Sequence, residues 1–102
     1  VAYVEAARVL AERLLVGGGD ANSRLTRAFE LATSRRPTDP ELKILLGRLE
    51  ILRRDYTANP SEAKKLVAVG ASPRDSSIDV VEHAAWTGIC SLILNLDEAL
   101  SN

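Results

Sequence analysis

The segment AAWTGICSLILNLDEAL, residues 84–100, is apolar around most of a helical circumference. At 3.6 residues per turn, Ala85, Ile89, Leu92, Leu96 and Ala99 form one stripe, and Trp86, Cys90 and Ile93 form a second. A helix with two such stripes must be enclosed by other helices, because an exposed apolar face of that width would cost the chain most of its stability. Its apolar part falls short of the roughly 20 residues that cross a bilayer, and Thr87, Ser91 and Asn95 interrupt it. It therefore reads as a core helix, and the rest of the chain has to supply its cover.

The cover is legible in the spacing of apolar residues and breaks. Tyr3, Ala7, Leu10, Ala11 and Leu14 share one face of a first helix, with Glu5, Arg8 and Glu12 on another face able to pair one turn apart. Three glycines, Gly17 to Gly19, end it. A second helix starts between Asp20 and Ser23, carries Leu25, Ala28, Phe29 and Ala32, and stops before Pro37 with Arg35 and Arg36 near its negative end. TDPE predicts a capping box, with Thr38 as N-cap and Glu41 closing it, and opens a third helix. Leu42, Leu45, Leu46, Leu49, Leu52 and Tyr56 make its stripe, and Ile44 and Ile51 widen it enough to predict a central position. NPSE opens a short fourth helix that runs to Gly70 as C-cap. After the irregular ASPRDSSID, Asp79 and Glu82 open the last helix.

No strand-like alternation persists, so the expected fold is all-α, a compact bundle of about five helices in a single domain over residues 1–102. Stacked helical hairpins are the alternative, disfavoured because no tetratricopeptide pattern is present. Only 4% of residues are aromatic, which leaves Leu, Val, Ile and Ala to build the core. The chain opens on Val1 with a helical pattern already under way, which suggests a piece of a longer protein.

Thirteen basic residues against fourteen acidic ones give a net charge of −1, with ten arginines scattered among carboxylates at helical spacing. That is the pattern of a salt-bridged surface and argues against nucleic acid as a partner. One His, one Cys and dispersed carboxylates lack the spacing of a metal site, and no cofactor motif is present. VGGGDANS has glycines but no following Lys-Ser or Lys-Thr, so it reads as a turn and not a phosphate loop.

The last helix carries a polar line of His83, Thr87, Ser91, Asn95 and Glu98. Asn95, Asp97 and Glu98 are expected to act as structural fasteners that satisfy backbone groups of neighbouring segments. His83 reads as a capping or surface histidine. It lies about 20 Å along the axis from Asp97 and Glu98 and cannot form an acid–base pair with them directly, so no catalytic residue is assigned. Trp86 is expected to anchor the core, and Cys90 to be an inert core thiol. Arg74 and Asp75, in SPRD, lie in a loop that either binds a partner or, with Ser72, satisfies its own turns.

Three segments, RAFELATSRRPTDPEL, VGASPRDSSIDVVEHAAWT and NLDEAL, together resemble the C-terminal part of a planctomycete-specific domain of unknown function, the one numbered fifteen-fifty-three. Proteins with that domain often carry cytochrome-c-like domains. Pro73, Arg74 and Asp75 match its loop, and Trp86, Asn95, Leu96, Asp97 and Glu98 its terminal segment. The resemblance implies the tail of a large exported protein, hence an extracytoplasmic location, and implies no activity. No haem-attachment run is present in this chain. Two functions follow as expectations: a structural or interaction module that docks on the remainder of its parent chain or on another protein, or a piece completing an enzyme or redox site whose other groups lie upstream. A helical-repeat peptide binder is a third. Oligomeric state is not encoded in any of these features.

Overall fold

The computed structural model describes residues 2–70 and 73–101, and side chains over 4–70 and 73–96. Among the described residues there are five helices and no strand: α1 (Ala2–Val16), α2 (Ala21–Thr33), α3 (Asp39–Ala58), α4 (Pro60–Val67) and α5 (Val80–Ser101). The all-α expectation holds.

Local chemistry sets the helix ends. Asp20 accepts a hydrogen bond from the Ser23 N–H at 2.8 Å and starts α2. The turn before it needs glycine, because Gly19 has φ +95° and a Cβ there would lie 2.6 Å from Ser23 Oγ. The predicted capping box forms in full: the Glu41 N–H donates to Thr38 Oγ1 at 3.3 Å, and the Thr38 N–H donates to Glu41 Oε1 at 2.8 Å. Asp79 caps α5 by accepting from the Glu82 N–H at 3.0 Å. The fourth helix differs from expectation. It ends at Val67 with Ala68 as C-cap, short of Gly70, and the Asn59 side chain does not cap its start.

Helices α1 to α4 each pack on the next in sequence, and all four pack on α5, most extensively α1. They form a wrap around α5. A stack of hairpins would confine contacts to neighbouring repeats, so the solenoid alternative fails. Trp86, Ile89, Cys90 and Ile93 of α5 are fully buried against Ala7, Ala11 and Leu14 of α1, Leu25 and Phe29 of α2, and Leu45 and Leu49 of α3. A smaller cluster seats Ala84 against Ala63 and Val67 of α4. At Gly88 the close approach is visible in space alone, since a Cβ there would stand 3.0 Å from Leu52 Cδ1.

Two sequence expectations are corrected by this arrangement. The centre is α5 and not α3, whose Ile44 and Ile51 remain 69% and 38% exposed. Arg8, placed with Glu5 and Glu12 away from the apolar face of α1, is 1% exposed, because the segment after α4 lies across it. From this burial pattern, Ile89→Ala is expected to lower unfolding stability by about 2–5 kcal/mol. Ile44→Ala should change it by less than about 0.5 kcal/mol. Urea unfolding followed by Trp86 fluorescence gives both, and equal losses would remove α5 from the centre.

Candidate functional site

Two places combine groups that could do more than fill space. The first is a polar cluster where α1, the segment 68–79 and the start of α5 meet. Arg8 Nε donates to the Val69 carbonyl at 2.8 Å, tying the exit of α4 to α1. Arg74 Nε donates to His83 Nδ1 at 3.1 Å, and a second Arg74 nitrogen donates to the Ile78 carbonyl. His83 Nε2 lies 3.1 Å from the Arg8 carbonyl oxygen. The Asp75 N–H donates to the Glu12 carboxylate.

The partners fix the state of the ring. A guanidinium can only donate and a carbonyl can only accept, so Nδ1 must be bare and Nε2 must carry the proton. His83 is therefore a neutral imidazole with both nitrogens in use. Burial is the main force lowering its pKa below 6.5, the carbonyl of Arg8 opposes that, and the Arg74 charge adds to it. His83 is fully buried and is thus neither the capping nor the surface histidine expected.

Asp75 accepts from the Ser77 hydroxyl at 2.6 Å and the Ser77 N–H at 2.9 Å, bonds that hold its pKa down, so it closes its own turn. Along the polar line of α5, Thr87 is buried with its hydroxyl donating to the His83 carbonyl at 2.7 Å, and Ser91 is half-buried. Asn95 is exposed, so the expectation of a buried fastener does not hold there. The side chains of Asp97 and Glu98, and the whole of Ser72, lie outside the described residues. The expected site residues thus divide: Arg74, Asp75 and His83 come together, while Trp86 sits in the core and Asn95 faces solvent.

The second place is an apolar groove of about 310 Å³ formed by α2, α3 and α5. Buried Phe29 and Leu45 form its floor, Ile44 and Leu96 its exposed walls, with Leu92 half-buried between them. Among the described residues its charged group is Glu41, which is held by two Arg35 bonds at 2.9 Å and by the Thr38 N–H. Arg35 is the main reason that this carboxyl's pKa falls to about 2. A wider cleft of about 520 Å³ between α3 and α4 has Leu52, Tyr56, Leu66 and Val69 in its lining. Its Glu62 is paired with Lys65 at 3.1 Å.

Sequence reasoning missed Arg8 and Glu12 as partners of the loop, and the bidentate contact of Arg53 with Glu82 at 2.8 and 2.9 Å that clamps α3 to α5. The available signal for Arg8 was its position beside Ala7 and one turn before Ala11, small residues that let another segment approach. Among the described residues, no three His, Cys, Asp or Glu side chains are grouped to hold a metal ion, and no helix is long and apolar enough to cross a membrane.

Cys90 is buried, which pushes its thiol up to about 12. In native buffer it is expected to react with a disulfide reagent only as fast as the core opens, and at once in denaturant. Rapid native labelling, read by absorbance, would show an access route to the core. In comparison with known proteins, the chain matches no family model, no curated protein and no solved structure.

Proposed function

We propose that this chain is a helical protein-interaction module, the C-terminal part of a large exported planctomycete-type protein, and that it docks on the remainder of its parent through the α2–α3–α5 groove. The observation that carries this reading is the pairing of exposed Ile44 and Leu96 over a floor of Phe29 and Leu45. An aliphatic side chain as exposed as Ile44 gains by being covered, and a groove between helices accepts an amphipathic helix through apolar anchors one turn apart. Recognition would be by apolar contact, since Glu41 at the edge is already engaged by Arg35. The placement in an exported parent rests on the resemblance of the three segments named above.

The enzyme-completing reading draws less support. It needs a titratable group that can meet a substrate, and His83 is enclosed with both ring nitrogens bonded.

Calorimetric titration of the chain with the remainder of its parent is the test. Binding is expected, and the double variant Ile44→Glu, Leu96→Glu, with its circular dichroism unchanged, should weaken it by at least about tenfold, as loss of a central apolar anchor does. Absence of binding, or equal binding by the variant, would overturn the proposal.

A further inference from the structure

The polar cluster contains an arrangement that only one protonation state permits. His83 receives an N–H from Arg74 at Nδ1 and gives its own N–H to the Arg8 carbonyl at Nε2. A second proton would go to Nδ1, where it would meet the Arg74 N–H donor head on and set an imidazolium beside a guanidinium. The two cannot coexist at 3.1 Å, so one must leave.

Which one leaves follows from what holds each. His83 sits on α5, which the rest of the bundle encloses, and its neighbour Ala84 is packed against Ala63 and Val67. Over residues 73–78, only Arg74 and Ile78 are half-buried, and the others are exposed. That segment is tied to the helices by Arg74 on His83 and by the Asp75 N–H on Glu12, while the bonds of Asp75 to Ser77 and of Arg74 to Ile78 are internal to the loop. The loop is the weaker party.

We propose that the Arg74–His83 contact is an acid-sensitive latch: uptake of a proton by His83 expels Arg74 and frees residues 73–78 from α1 and α5, while the five helices stay packed. This goes beyond the docking reading and is independent of it, because the groove lies between α2, α3 and α5 and shares no residue with the latch.

The charges around the ring decide how the latch is set. From α1 come the Arg8 guanidinium, which disfavours the imidazolium, and the Glu12 carboxylate, which favours it. From the loop comes Arg74, which disfavours it, with Asp75 alongside. Helix α4 meets α5 here through apolar residues, and Arg53 of α3 is engaged by Glu82 and Glu50. Burial outweighs all of these and points the same way as the two arginines.

The sign follows directly. The closed loop holds His83 at a pKa below 6.5, whereas release lets the ring return towards that value. The latch is therefore closed above the pKa that His83 has with the loop open, at most about 6.5, and weakens as pH falls from there to the closed-loop value, below which no further loss arises from this group. Within that window the opening equilibrium should grow about tenfold for each pH unit.

Because His83 is the only histidine, its ring can be followed without ambiguity in the whole chain. Long-range proton–nitrogen NMR at neutral pH should show the Nε2–H tautomer, and a titration should give its pKa below 6.5. In parallel, hydrogen exchange of the Asp75, Ser77 and Ile78 amides, corrected for intrinsic pH dependence, should lose protection about tenfold per pH unit through the same window. Amides of the α5 core, at Ile89 and Ile93, should keep theirs. Arg74→Gln should raise the His83 pKa and leave the three loop amides poorly protected at every pH, a result that does not depend on the stability of a His83 variant. The latch is overturned if His83 titrates while the loop amides stay protected, if it takes up no proton before the whole bundle unfolds, or if Arg74→Gln leaves its pKa unmoved.

Discussion

The enclosure of α5 is the constraint from which the rest of the structure follows. Its buried face spans Ala84 to Cys90 almost without interruption and continues to Ile93, so no single neighbour could cover it. Four shorter helices do so in chain order, each touching the next as well as the centre. The connections can be short because the wrap needs only a tight turn at each corner. The same geometry places the polar cluster: after α4 the chain must cross towards α1 to start α5, and the residues that make this crossing are those Arg8, Glu12 and His83 engage.

Polar groups at that crossing are held by donor–acceptor matching. Arg8 bonds a carbonyl, His83 bonds a carbonyl and accepts from a guanidinium, and Thr87 returns its hydroxyl to its own helix. Buried polar atoms that found no partner would each cost about 1–3 kcal/mol, so the pattern of donors determines which loop conformation survives. The α2–α3–α5 groove has the reverse character. Among the described residues its walls are aliphatic and its carboxylate, Glu41, is already engaged by Arg35, so apolar surface is what it has left to offer.

Elements whose cause is local were legible in the residues. The capping box at Thr38 and Glu41, the Asp20 and Asp79 starts, the glycine turn and the apolar circumference of α5 depend on neighbours within a turn or two. What required the coordinates was the assignment of partners across the chain. Ile44 and Ile51 carry the spacing of a buried stripe and yet stay exposed. Arg8 carries the spacing of a surface residue but faces a loop that arrives from 61 positions away. His83 could be read as buried only by knowing that an arginine and a carbonyl would meet its two nitrogens. Periodicity reports which face of a helix prefers cover; it contains no record of which faces receive it.

One corner of the bundle has a bearing on the order in which the chain assembles. Arg35 lies over the Phe29 ring at 4.8 Å and grips Glu41, while Glu41 also caps α3 through Thr38. Every group in this knot belongs to one short run of sequence, so closing it costs little loop entropy. The α2–α3 hairpin can therefore take shape before distant segments are found, whereas the crossing from α4 to α1 must wait for partners far along the chain. The molecule thus has one corner joined by neighbours and one seam joined by strangers.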